Sequence, residues 1–212
     1  MLKECVFCRE INGSRETNFA KLYPELPSRV IAETESFIAF PCIGQLIDGH
    51  FLVIPKTHKA TMAQSLFKAN SLKDELQRIL SEAHKFINVR QEQSLYFEHG
   101  AHGAEHGGCG IYHAHLHVLP NAGNVNCRDL FSQSSDSNEW DLFKIYNETV
   151  PEKSYAIIGS NEMGFYRWQL SKPLESQTIR KYVANCLGAL EWDWRKFGSE
   201  EKMQSLLSRN FA

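Results

Sequence analysis

The chain lacks the sequence features of membrane, secreted and polyanion-binding proteins. No apolar run is long enough to cross a membrane, and the first five residues contain no signal-peptide core. The formal net charge is -2 and no basic tract occurs, so charge alone gives no reason to expect binding to nucleic acid. We therefore expect a cytoplasmic protein that has no membrane partner and for which nucleic acid is a poor candidate partner.

Internal repeats and low-complexity segments are also missing. The 212 residues, 42% hydrophobic and 23% charged, suit one globular domain with an appendage. The six cysteines are expected to be reduced, because the chain has no secretion signal. Cys5 and Cys8 form a Cys-x-x-Cys motif, which by itself fits a redox pair or half of a zinc site. Only four residues precede it, so the strand expected before a thioredoxin-like pair is lacking, and zinc is favoured.

The most informative segment runs from residue 113 to residue 120, where histidine alternates with apolar residues. Alternation with a period of two predicts a β-strand. Three imidazoles then share one face and apolar side chains share the other: His113, His115 and His117 against Ala114, Leu116 and Val118. A row of imidazoles is costly to bury and repels itself when protonated, so we expect a phosphate, a metal or both beside it.

The remaining pattern predicts an α+β fold built on an antiparallel sheet. Strands are expected at 29–33, 36–40, 50–55 and 94–98, and the main helix at 71–89 with Ser71 as its N-cap. Beyond residue 120 we expect a polar loop to 139, a hairpin at 155–159 and 165–170, and helices at 176–190 and 203–207. We expect a core at 1–120 and an extension at 121–212 that packs on it as one structural unit.

Three motifs in series resemble those of one known family. The histidine run with the following Val118-Leu119-Pro120 resembles the signature of the histidine-triad (HIT) nucleotide hydrolases and transferases. Residues 5–13 resemble the opening of the zinc-bearing members, and residues 49–58 resemble their glycine–histidine strand. The resemblance implies a HIT-like antiparallel sheet with one main helix over residues 1–120, to which this chain adds a C-terminal α/β extension.

The family resemblance implies specific roles for these residues. His115 is the nucleophile, which attacks the α-phosphorus of a nucleoside phosphoanhydride, phosphoramidate or dinucleoside polyphosphate and forms a nucleotidyl-histidine intermediate. His117 binds the non-bridging oxygens of the same phosphate. A structural Zn²⁺ is held by two cysteines and two histidines: Cys5, Cys8, His58 and His113.

Two departures from the family pattern concern the substrate-binding residues. Cys42 stands where relatives carry an acid or an asparagine for the ribose, eight positions before His50. The glycine-rich approach to the phosphate, Gly108-Cys109-Gly110, has Cys-Gly in place of the usual Gln-Ser. We therefore expect the small-molecule nucleotide to contact Cys42 and residues 108–110 through altered interactions. A catalytically weak nucleotide-binding or scaffold protein, and an enzyme for nucleic-acid ends or caps, remain as alternatives.

The sequence leaves three further questions open. His99, His102 and His106 could form a second metal site, but a solvated flexible loop is favoured, because no carboxylate or cysteine cluster accompanies them except Glu105 and Cys109. The triad has no His-Pro-His, which favours hydrolysis over transfer to phosphate. The resemblance also implies a homodimer, unless the extension occupies the dimer surface.

Overall fold

One antiparallel sheet runs through the whole molecule. The computed structural model describes residues 5–103, 111–127, 135, 137–172, 174–198 and 200–208. Within these ranges the strands are β1 Ala32–Glu33, β2 Phe37–Pro41, β3 Phe51–Pro55, β4 Leu95–Gly100, β5 Leu116–Leu119, β6 Ser137–Glu139, β7 Tyr155–Ser160 and β8 Gly164–Gln169. Their order across the sheet is β1-β2-β3-β5-β4-β7-β8-β6, and every neighbouring pair is antiparallel. With the helices, this is the α+β class that the sequence predicts.

The helices vary widely in length, and the longest is the one that the apolar periodicity predicts. In the described ranges they are α1 Val6–Ile11, α2 Asn18–Leu22, α3 Ala63–Leu66, α4 Lys73–Ile87, α5 Leu142–Asn147, α6 Thr178–Leu187 and α7 Glu200–Ser208. α4 buries side chains spaced three or four residues apart and ends at Asn88, whose φ of 57° places it in the left-handed region. None of the described helices is both long enough and apolar enough to span a membrane.

Different parts of the chain cover the two faces of the sheet. On one face, α3, α4 and α5 pack in the largest apolar cluster, which includes Leu116 and Val118 of β5. On the other face, α1 places Phe7 in the cluster of β2 and β3 residues, and α6 places Ile179 beside Phe97 of β4. β2 and β3 are therefore buried on both faces, which explains their nearly continuous apolar sequences.

The extension joins the core through a strand pair. β7 pairs with β4 over six residues, from Leu95 opposite Ser160 to Gly100 opposite Tyr155. Gly100 is required here, because a Cβ at this position would overlap the Tyr155 ring. The sheet thus continues from β4 of the core into β7, β8 and β6.

Several predicted boundaries are wrong for identifiable reasons. β5 starts at Leu116, because the amide of Ala114 donates to the carbonyl of Lys59 in a loop instead of to a neighbouring strand. Ser71 lies in a 3₁₀ turn before α4 and makes no side-chain cap, so that helix begins at Lys73. The first strand contains only residues 32–33 of the predicted 29–33. α2, α3 and α5 were not predicted, since four to six residues are too few for a helical period to be recognised.

Candidate active site

His115 and His117 lie on the face of the sheet that α1 and α6 cover. Phe97 of β4 is directly opposite His117, so its neighbour two residues on, His99, projects from the same face. The Phe97 ring stacks on the His117 ring with centroids 4.2 Å apart and an angle of 6° between the planes. This stacking fixes the direction of the His117 ring.

The hydrogen bond of His115 determines which ring nitrogen holds the lone pair. His115 Nδ1 lies 2.6 Å from the backbone carbonyl oxygen of His113. A carbonyl only accepts, so Nδ1 carries the proton. In the neutral ring the lone pair is therefore on Nε2, the nitrogen that can act as a nucleophile.

A chain of hydrogen bonds likewise determines the tautomer of His117. The backbone N–H of Leu46 donates to His50 Nδ1 at 3.3 Å, so Nε2 of the neutral His50 ring carries the proton. His50 Nε2 lies 2.9 Å from His117 Nδ1 and donates to it. The neutral His117 ring must then carry its own proton on Nε2, which makes that nitrogen a hydrogen-bond donor.

Burial keeps the rings of His50 and His117 neutral; this hydrogen-bonded pair is called the relay below. Desolvation lowers the pKa of His50 and that of His117 well below their usual value, and the Arg180 guanidinium lowers both further. His115 adds to the effect on the pKa of His117. The relay is therefore an uncharged donor chain at neutral pH.

The four residues proposed as metal ligands come together in a second cluster. One donor atom each from Cys5, Cys8, His58 and His113 lies within 4.8 Å of the other three. Cys5 Sγ is 3.3 Å from His113 Nδ1, and Cys8 Sγ is 3.4 Å from His58 Nδ1 and 3.6 Å from His113 Nδ1. A tetrahedral zinc site with ordinary bond lengths separates sulfur and nitrogen ligands by about 3.6 Å. The spacing therefore fits this metal.

The surroundings of this cluster favour metal ligation over a redox pair. Neither Cys5 nor Cys8 forms a disulfide. His113 Nε2 donates to the carbonyl oxygen of Pro55 at 2.8 Å, which leaves the lone pair on Nδ1, facing the cysteines. A histidine that donates its other ring N–H to a carbonyl is the usual arrangement of a metal ligand.

Phe7 of α1 connects the two clusters. Its ring meets those of His113 and His115 edge to face, each with centroids 5.8 Å apart. Cys5 is the N-cap of α1, the helix that carries Phe7, and its sulfur accepts the backbone N–H of Cys8 at 3.5 Å. The Cys-x-x-Cys motif therefore forms the first turn of a helix that packs against the triad.

A cleft opens over His115 and His117. Its walls are mostly apolar and come from α1, α2, the sheet and the extension. Cys42, which the resemblance places at the ribose, is buried in the wall, and its Sγ lies within 4.8 Å of a ring nitrogen of His50 and one of His117. The sequence-predicted residues Gly108, Cys109 and Gly110 lie outside the described residues, as does His106.

The extension contributes wall residues that the sequence analysis did not find. These are Gln177, Ile179, Arg180 and Trp194. The side-chain amide of Gln177 donates from Nε2 to Asp193 Oδ1, and its Oε1 accepts the backbone N–H of Trp194, which holds the 193–194 segment in place. No motif in the sequence marks α6 as part of a site, so this contribution was not predictable.

His99 was assigned to a solvated loop, and that assignment is wrong. It lies in β4 and lines the cleft near His115. Its Nε2 is buried without a hydrogen-bond partner in the described structure. Burial, with a smaller contribution from His115, lowers its pKa to about 4. The sequence pattern that could have placed His99 in the strand is the alternation of Phe97 and His99 on either side of Glu98, because the strand continues to Gly100.

Comparison with known proteins identifies related sequences over the core. The HIT domain family matches residues 23–124. An uncharacterized HIT-like protein of Borreliella burgdorferi is 32% identical over 121 residues, which are 55% of this chain and 75% of that protein. Protein hit of Bacillus subtilis is 29% identical over 124 residues, 57% of this chain and 73% of its own length.

Solved structures also match the chain. A HIT family hydrolase from Clostridium thermocellum aligns with a TM-score of 0.41 and 24% identity, covering 57% of this chain and 92% of its own. A HIT family member from Bacillus subtilis aligns with a TM-score of 0.39 and 26% identity, covering 57% of this chain and 76% of its own.

Proposed function

The chain belongs to the histidine-triad (HIT) family, and from this premise we propose that it is a nucleotidyl hydrolase or transferase that acts at an α-phosphorus. The substrate is a nucleoside phosphoanhydride, phosphoramidate or dinucleoside polyphosphate. The observation that carries the proposal is the pair of ring nitrogens in the cleft: a lone pair on His115 Nε2 and a donor on His117 Nε2.

His115 is the nucleophile in this proposal. Its Nε2 lone pair forms a bond to phosphorus while the bond from phosphorus to the leaving group breaks and the leaving group departs with the electron pair. The ring becomes positively charged, and the carbonyl oxygen of His113 stabilises it by accepting from Nδ1–H at 2.6 Å. Water then breaks the nitrogen–phosphorus bond, which releases the nucleoside monophosphate and a proton and restores the neutral ring.

His117 binds and stabilises the phosphate in both steps. Its Nε2–H donates to a non-bridging oxygen, on which negative charge increases in the transition state. His50 acts through His117 and is a positioning residue, because its Nε2–H holds the acceptor nitrogen of the His117 ring. In this proposal Cys42, Gly108, Cys109 and Gly110 also contact the nucleotide.

Zinc has a structural role in the proposal. Cys5, Cys8, His58 and His113 would hold one Zn²⁺, which would fasten α1 to the segment that precedes His115. With four protein ligands such a site is closed, so the metal supplies rigidity and no position for substrate. Phe7 packs on His113 and His115, so fixing α1 would also hold the His115 ring in place in the cleft.

Turnover of a fluorogenic adenylate or guanylate phosphoramidate tests the proposed function. We expect the wild-type protein to release the amine and His117→Ala to be slower by about 10²–10³-fold, the usual cost of one donor to a developing oxyanion. Nucleotide binding without any turnover would instead support the catalytically weak binding protein. Absence of both would overturn the proposal.

A further inference from the structure

A buried arginine from the extension has no acidic partner in the described part of the chain. Arg180 of α6 is 4% exposed and lines the cleft that contains His115 and His117. None of the described carboxylates forms an ion pair with it. The other buried arginine of the cleft, Arg29, differs, since Glu10 accepts hydrogen bonds from it at 2.6 and 2.9 Å. Among the described residues, Arg180 is therefore a buried positive charge without a counter-charge.

The existing contacts of Arg180 orient its guanidinium but do not neutralise it. Nε and Nη2 donate to the carbonyl oxygens of Trp192 and Gly44, and Nη1 lies 3.8 Å from Cys42 Sγ. A guanidinium has five N–H donors in a planar fork, so these contacts leave donors for a ligand. A buried charge that lacks a partner is costly, and an anionic ligand removes that cost.

The position of Arg180 relative to the triad restricts where such an anion belongs. Cys42 lies between them, because its sulfur is near Arg180 Nη1 on one side and near ring nitrogens of His50 and His117 on the other. Two separate groups in the cleft thus suit negative charge: His117 Nε2–H with His115 at one place, and Arg180 beyond Cys42 at another. The wall between and around them is apolar, with Phe97 and Ile179.

We propose that Arg180 binds a second phosphate of the nucleotide, carried on the 2′ or 3′ oxygen of the ribose, and so selects ribose-phosphorylated nucleotides over those with a free diol. The inference rests on the proposed function, which puts the α-phosphate at His115 and the ribose beside Cys42. A thiol is a weak partner for a diol, whereas a guanidinium binds a phosphate through two parallel hydrogen bonds. The extension thereby supplies a specificity-determining residue to a site formed otherwise by the core.

Calorimetric titration of the zinc-loaded full chain tests this proposal. The probes are AMP, adenosine 2′,5′-bisphosphate, adenosine 3′,5′-bisphosphate and ADP. We expect one of the two bisphosphates to bind about 10- to 100-fold more tightly than AMP, as a charge-assisted contact would give. ADP carries its second phosphate on the 5′ phosphate chain, so it should not show this increase in affinity over AMP.

Two variants and a control separate ligand binding from structural damage. Arg180→Gln should abolish the preference, but it also removes the contacts with Gly44 and Trp192. Cys42→Asp keeps the arginine and gives it an internal counter-charge, so it too should abolish the preference. Lys181→Gln removes a positive charge from the exposed side of the same helix and should leave the preference intact.

Distinct outcomes overturn the proposal. If AMP binds as tightly as both bisphosphates, or if their advantage survives in Arg180→Gln, the role of Arg180 is wrong. If ADP shows the same gain, the second anion lies on the phosphate chain and its placement on the ribose is wrong. None of these results would contradict the proposed function, which the phosphoramidate turnover tests separately. If no nucleotide binds and no turnover occurs, the proposed function itself fails.

Discussion

At the scale of single residues, the chemistry depends on which nitrogen of each histidine carries the proton. The hydrogen bonds of His50, His115 and His117 leave one arrangement that satisfies all three neutral rings. In this arrangement His115 offers a lone pair and His117 offers a donor. His50 therefore does more than fill the core, because its hydrogen bond to His117 Nδ1 determines the tautomer of His117.

His50 can be tested with two substitutions that differ in their donors. His50→Leu removes the N–H that His117 Nδ1 accepts, so the His117 ring can take its proton on Nδ1 and lose the donor on Nε2. We expect kcat to fall by about 10²–10³-fold with a smaller change in KM. His50→Gln keeps an N–H donor and should retain more activity. Thermal unfolding of both variants checks folding, and equal kcat values for the two would contradict the relay.

His99 should make stability depend on pH. Its pKa is about 4 in the folded chain and near 6.5 when unfolded, so the unfolded state binds more protons between these values. The stability that neutral His99 contributes is present above about pH 6.5 and is lost as the pH falls toward 4. We expect His99→Asn to lose less unfolding free energy than the wild type between pH 7 and 5 in urea titrations. Parallel pH profiles of the two proteins would show that His99 does not titrate in this way.

At the scale of elements, α1 is too short to be a stable helix by itself. It has six residues, of which Phe7 and Cys8 are buried. A helix of this length is not stable alone, so its position depends on tertiary contacts or on a metal. The four-residue cluster with His58 and His113 provides such a contact.

Loss of the metal site should therefore be measurable as loss of stability. We expect about one zinc per wild-type chain by elemental analysis and none in Cys5→Ser. The variant should unfold at least about 4–8 °C lower, which corresponds to roughly 2 kcal/mol for a chain of this size. Cys186→Ser, a half-buried cysteine of α6 away from the cluster, is the matched control. Zinc-free protein after purification without chelator would contradict the assignment.

The elements also show what the sequence could predict. Buried strands such as β3 and the long helix α4 have apolar patterns that extend over several residues, so their positions were predicted to within about two residues. The short helices α2 and α5 are set by their N-caps Thr17 and Asp141 and by packing, which leave no periodic signal. The triad could be named from the alternating histidine run itself, whereas the four metal-cluster residues were named as a set only through the resemblance to the zinc-bearing family members.

At the scale of the whole molecule, the extension changes the sheet and the cleft together. β7 covers the edge of β4, and α6 with Trp194 closes one wall of the cleft. The sequence could not reveal Arg180 as a cleft residue, because a lone arginine on an amphipathic helix looks the same on the surface and in a pocket. Its role depends on contacts with Cys42 and Gly44, which are more than a hundred residues away in the chain.

The covered edge of β4 predicts a monomer. The outermost strands are β1 with two residues and β6 with three, and such short edges offer little backbone for pairing with a second copy. We expect sedimentation equilibrium to give a mass near 24.3 kDa from about 1 to 100 μM. A mass of twice that value would show that the homodimer, which the family resemblance implies, forms through another surface.

The most direct test of the central claim is to trap the covalent intermediate on His115. A substrate labelled with ³²P at the α-phosphorus should give an acid-labile, base-stable adduct on the peptide that contains residue 115. His115→Asn should yield no adduct and lose several orders of magnitude in kcat while its nucleotide Kd stays near that of the wild type. Label on Cys109, or wild-type turnover by His115→Asn, would contradict the mechanism.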